Sequence, residues 1–180
     1  MSKMIATLLG LTFAGLLPMA AAAEPPSEGA GTKADVLASF NTAADKVLQL
    51  AEAIPQEKYS WAPTPEVRTV AQVFMHVAGG TYFLGSVVGT PRPEGAKDLE
   101  KETDKAKVIA ALKASYEHAR KVIEGMPESE LGATVDFFGN KVTKRSILMA
   151  IAAHAHEHLG QAIAYARSAG VVPPWSKKEG

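Results

Sequence analysis

Apolar residues recur at helical spacing in four long stretches of this 180-residue chain. In the first, Val36, Leu37, Phe40, Val47, Leu48 and Ala51 share a side, with Asp35, Asn41, Asp45 and Lys46 opposite. This predicts an amphipathic helix of about five turns that stops near Pro55. The second stretch opens at Thr69, with Gln72 three residues on as a capping box, and carries Val70, Val73, Phe74, Val77, Phe83, Leu84 and Val87. Gly79-Gly80 weakens that helix by about 1 kcal/mol per glycine, which predicts close packing there. Asp104 caps a third helix over Lys105 to Glu124, ended by Gly125 and Pro127. The fourth runs from about Lys144 to Ala169 and stops at Gly170, with Pro173 and Pro174 beyond. Between the helices, Tyr59 to Val67 must be extended or turning, because it holds Pro63 and Pro65. Gly89 to Gly95, with two prolines, forms the next connection. Gly139-Asn140 separates Val135, Phe137 and Phe138 from Val142, a short hairpin. The predicted fold is all-α: an up-down four-helix bundle with a short β-hairpin before the last helix.

The first 23 residues follow other rules. Lys3 is their only charged residue, Met4 to Leu17 is largely apolar, Pro18 breaks the run, and Ala21-Ala22-Ala23 precedes Glu24. That layout predicts a secretory signal peptide, and its apolar core is shorter than the roughly 20 residues that span a bilayer. The organisation expected is a leader at 1–23, a Pro/Gly/Ser-rich linker at 24–31, one domain at 32–170 and a tail at 171–180. The protein is expected to be secreted or periplasmic, with no stable membrane anchor once the leader is removed. With no cysteine anywhere, the chain offers no disulfide, thiol nucleophile or thiolate ligand. Lysine plus arginine balance aspartate plus glutamate at 19 each, and no helix face carries a basic stripe, so nucleic acid is not an expected partner.

Histidine carries the candidate chemistry. His154 and His158 are four apart on the fourth helix, so both rings can reach one ion. Ile147 and Ile151 extend their stripe on one side, and Gln161 and Tyr165 on the other. His76 lies mid-helix on a face with Val73, Gly80 and Phe83. A lone imidazole there would need a buried partner, and three inward histidines are better explained together as a metal site. His156 points away from the pair, and it and His118 are read as solvated. Gln161 and Tyr165 are candidates to orient the ligands. Glu157 borders the stripe, and Trp61, Tyr82 and Tyr116 either line a pocket or fill the core.

Two segments carry a family resemblance. Tyr59-Ser60-Trp61-Ala62-Pro63-Thr64-Pro65-Glu66-Val67-Arg68-Thr69 leading to His76, and His154-Ala155-His156-Glu157-His158-Leu159-Gly160-Gln161, resemble the DinB/YfiT-like metalloenzymes. The likeness runs over 32–170. It implies a four-helix bundle with His76, His154 and His158 as ligands of one divalent ion, zinc or nickel. Relatives often have two adjacent histidines and an arginine before Gly-Gln; here Glu157 and Leu159 stand in two of those places. The resemblance also implies chemistry on a small-molecule substrate, as a transferase activating a low-molecular-weight thiol or as a hydrolase. Three protein ligands leave an open position, where a coordinated water has its pKa lowered from 15.7 to about 7. A non-catalytic periplasmic metal-binding or partner-binding bundle is the alternative, and a homodimer is left open. If the leader is cleaved as read, N-terminal sequencing of the exported protein returns Glu24 as the first residue; a retained Met1 would remove the case for export.

Overall fold

The structure, a computed structural model, describes residues 28–176. Helices α1 (Glu28–Ala53), α2 (Val70–Val87), α3 (Lys105–Gly125) and α4 (Lys144–Ser168) form the bundle, and strands β1 (Thr134–Phe137) and β2 (Asn140–Thr143) make a hairpin before α4. The leader expected at 1–23 lies outside the described residues, as does the first half of the linker, 24–27. Helix α1 takes in residues 28–31, which their composition assigns to that linker. No proline follows Pro26 there, and glycine weakens a helix without stopping it. No helix among the described residues is long and apolar enough to cross a membrane.

Each helix turns one stripe inward. Phe40, Ala43, Val47 and Leu50 of α1 meet Phe74, Val77 and Ala78 of α2, Leu112, Tyr116 and Ile123 of α3, and Ile147, Ile151 and Ala155 of α4 in one continuous core. Each large side chain buried this fully contributes about 1.5–3 kcal/mol. Tyr116 stands edge-on to Phe40 at 5.5 Å between ring centroids, so it is core and not pocket lining.

Lysines at two helix starts fix how the helices run. Lys33 Nζ donates to the carbonyls of Glu124 (3.2 Å) and Met126 (2.8 Å), at the end of α3. Lys105 Nζ, at the start of α3, donates to the carbonyls of Glu52 (2.7 Å) and Ile54 (2.8 Å), at the end of α1. Helices α1 and α3 are therefore antiparallel, and each cation sits where helix carbonyls lack partners. Helix α2 starts beside the end of α1, where the Ala71 N–H donates to the Tyr59 carbonyl (2.9 Å). It finishes beside the C-terminal half of α3, where Gly85 lies against His118 and Val122. Helix α4 begins just past the end of α3, with the Arg145 N–H donating to the Leu131 carbonyl (3.0 Å). The run is up, down, down, up, which refines the simple alternation expected. Helix α1 packs on α3 and α4, and α2 on α3 and α4, so α1 and α2 stand across one diagonal and α3 and α4 across the other.

A parallel pair of neighbours needs a return path. Helix α2 has 18 residues and is about 27 Å long. Residues 88–104 therefore retrace it before α3 can start, and their 3-10 turn Leu99–Lys101 packs on α2.

The hairpin differs from expectation by one residue. Asn140 is paired with Phe137 in the sheet, and the two-residue turn is Phe138-Gly139. Both turn residues have positive φ, +48° and +79°, as a tight right-twisted hairpin demands. The helix caps agree with the sequence. The Gln72 N–H donates to Thr69 Oγ1 (3.3 Å) while the Thr69 N–H donates to Gln72 Oε1 (2.9 Å), and Asp104 accepts from the Lys107 N–H (3.0 Å). Thr69→Ala removes half of the first box, and urea denaturation should show a loss of about 1 kcal/mol. An unchanged midpoint would mean that the cap contributes nothing.

Candidate metal centre

Because α2 and α4 are antiparallel neighbours, His76 comes opposite His154 and His158. Ring centroids lie 5.5 Å apart for His76 and His154, 4.8 Å for His76 and His158, and 4.5 Å for His154 and His158. One ring nitrogen from each lies within 4.8 Å of the other two, a group that can hold a metal ion. The pair on α4 owes its closeness to the i, i+4 spacing; the third ring comes from the α2–α4 packing. Gly80 makes that packing possible. A Cβ there would sit 2.4 Å from Cε1 and 2.5 Å from Nε2 of His154, closer than non-bonded atoms come. Gly79 has only an ordinary contact, 3.9 Å to the Ala96 carbonyl.

Two of the rings are oriented from behind. His76 Nδ1 lies 3.1 Å from Glu100 Oε1, and His158 Nδ1 lies 2.7 Å from Gln161 Oε1. A carboxylate and an amide oxygen only accept, so both Nδ1 atoms donate and both Nε2 atoms keep a lone pair. Arg68 Nη2 donates to the same Glu100 oxygen (3.3 Å), which ties the residue just before α2 to the site. His154 Nδ1 is buried and has no hydrogen-bond partner among the described residues.

Burial favours the neutral form of His154 and His76. Burial pushes the His154 pKa down to about 4, helped by His158 and His76. Burial also lowers His76, reinforced by the Arg68 charge and opposed by the Glu100 hydrogen bond. Neutral imidazole is the form that ligates. A tetrahedral ion with 2.0–2.1 Å bonds sets its ligand atoms about 3.3 Å apart. Small side-chain rotations bring donors within 4.8 Å to that spacing, so three imidazole nitrogens, with two of the rings already oriented, fit a divalent metal.

The other sequence candidates separate cleanly. Gln161 touches His158, as expected, whereas Glu157 is exposed. Tyr165 meets Trp61 edge-on at 5.7 Å and lines a cleft of about 620 Å³ with Glu66, Arg68, Gln72, Glu100 and Gln161. His156 is exposed as read, though its Nε2 lies 3.1 Å from the Ser39 carbonyl on α1. His118 is not the solvated residue its sequence suggests. It stacks edge-on to Tyr82 at 5.0 Å, and its Nε2 is buried without a partner among the described residues. Gly85 leaves the space that this ring fills. Leu159 packs into the core at the position where relatives often have arginine. Glu100 is the site residue that sequence reasoning misses. It belongs to the return segment, where no periodicity marks one carboxylate from another.

The family model for the DinB superfamily matches residues 39–162, which take in all three histidines. No curated protein matches the chain in sequence. Among solved structures, a DinB-like protein from Bacillus cereus shares 20% identity at a TM-score of 0.69, over 77% of this chain and 93% of its own. A DinB-like protein from Bacillus subtilis shares 25% identity at 0.63, with the same coverage. YfiT from Bacillus subtilis, described as a probable metal-dependent hydrolase with an unusual four-helix bundle topology, shares 16% identity at 0.64, over 86% of this chain and 97% of its own. With the family model spanning more than half of its length, this chain belongs to the DinB superfamily.

Proposed function

We propose that this is an exported metalloenzyme in which His76, His154 and His158 hold one divalent ion, zinc or nickel, for hydrolysis of a small-molecule substrate. The observation that carries the reading is the three-histidine group with two rings already oriented by Glu100 and Gln161. Three ligands leave coordination open, and an ion so held supplies a nucleophile at neutral pH. Around it the protein's own groups do the positioning. Glu100 and Gln161 hold two protons at Nδ1, and both also line the polar cleft of about 620 Å³. The description of YfiT as a metal-dependent hydrolase supports this reaction class.

A thiol transferase is the second reading. The chain has no cysteine, so the thiol must come from outside, and the same cleft has room for a small one. Turnover of ester or amide substrates by the metal-loaded protein without thiol supports the first reading. Turnover of an electrophile only when a thiol is added supports the second. Stoichiometric metal with neither activity favours a non-catalytic metal-binding bundle. Export rests on the apolar leader read at residues 1–23.

Ligand assignment is tested by alanine at each of the five histidines, with bound metal measured by elemental analysis. His76→Ala, His154→Ala and His158→Ala should each lose most of the metal, because no thiolate can substitute. His118→Ala and His156→Ala should keep it. Full metal content in His76→Ala would show that the third ligand is another residue.

Glu100→Gln tests the orienting carboxylate. The variant should fold normally but bind metal about 10–100-fold more weakly, the usual cost of losing a hydrogen-bond partner behind a ligand. An unchanged affinity in a competition titration would reduce Glu100 to a surface ion pair.

A further inference from the structure

We propose that the cavity beside His76 is the substrate subsite, and that it takes a small acid with an apolar, aromatic body. The cavity is about 390 Å³ and is walled by His76, Gly80, Phe83, Arg92, Lys97 and Glu100, the last with its carboxylate engaged by Arg68 and His76. The proposal rests on the metalloenzyme reading only for the direction in which the molecule reacts, towards the His76 wall.

The anion-binding half comes from Arg92. Its Nε donates to Ser86 Oγ (3.0 Å), and that hydroxyl in turn donates to the Phe83 carbonyl (2.6 Å). The guanidinium lies 4.7 Å from the centroid of the Phe83 ring. The group is therefore held in place with N–H donors left over. Neither Arg92 nor Lys97 has a carboxylate partner among the described residues, while Arg68 and Lys101 nearby each have one. A fixed guanidinium with spare donors at a cavity wall suits a carboxylate, which it can bind through two parallel hydrogen bonds.

Phe83 supplies the other half with the hairpin. Phe137 stacks on it at 6.1 Å, and Phe138 lies 5.5 Å from it and 4.6 Å from Phe137. Phe138 is 78% exposed and has a φ of +48°. Asparagine or glycine would serve such a turn better, and so exposed a ring buries little area for the fold. A phenylalanine kept in a strained, wet position points to an apolar surface offered to something else. The shelf of three rings adjoins the cavity through Phe83, so a flat apolar body and an acid group fit there together.

Binding of 3-phenylpropanoate and of its neutral counterpart 3-phenylpropan-1-ol, measured by calorimetry on the full mature protein, tests this. The acid should bind about tenfold more tightly than the alcohol. Arg92→Met should abolish that preference. Phe138→Asn, which suits the turn, should weaken both probes several-fold. Metal content should stay stoichiometric in both variants. Equal binding of acid and alcohol, a preference that survives Arg92→Met, or no binding of the acid to metal-loaded protein would each overturn the subsite. A purely structural role for Phe138 would leave affinities unchanged in Phe138→Asn and would remove the aromatic half. If the protein binds no metal yet still prefers the acid through Arg92, the subsite stands and the metalloenzyme reading falls.

Discussion

Helices α2 and α4 touch at Gly80, and the site depends on that contact. The His154 ring lies where a side chain on α2 would be, so the ring fits between the two helices only because Gly80 has no Cβ. Glycine in the middle of a helix costs about 1 kcal/mol, and the buried, unpartnered Nδ1 of His154 costs about 1–3 kcal/mol more. Neither cost serves the bundle, which would be more stable with alanine facing leucine. The metal site proposed above accounts for both, since an ion bound there would offset the cost of a desolvated imidazole.

The order of the helices supplies what surrounds it. Had α3 followed α2 in the opposite direction, a short turn would have joined them. Because the two run the same way, residues 88–104 must travel back along α2. Along that path Arg92 reaches Phe83, and Glu100 reaches His76. One topological fact therefore produces both the carboxylate behind a ring and the wall of the neighbouring cavity.

How much of this was legible beforehand follows from the range of each signal. Capping boxes, proline stops and the i, i+4 histidines act within one turn of helix, and Thr69, Asp104, His154 and His158 behave as their spacing says. Apolar stripes reveal that α2 and α4 have inward faces but not which helix each will meet. His76 joined the pair through its own inward face and through the family likeness, not through any spacing that links the two helices. The His118 position reads as polar because its own helix surrounds it with charge, yet the partner face offers Gly85 and Tyr82. Glu100 carries no local mark at all, since its role is set by a segment whose path depends on the direction of the next helix. In the hairpin, asparagine is the better residue for a positive φ, which drew the expected turn one residue too far. Pairing of Asn140 with Phe137 places the phenylalanine there instead.

The return segment has a history of its own to tell. Apart from Val88, Ala96 and Leu99 it places little in the core, and the helices are joined to one another without it. Its length can drift at small entropic cost, because closing a longer loop is only slightly harder than closing a shorter one. Exchange of residues along it, Glu100 aside, would leave the three rings and the bundle untouched. A lineage built on this plan can therefore vary one strap of chain beside the site while inheriting the histidine frame intact.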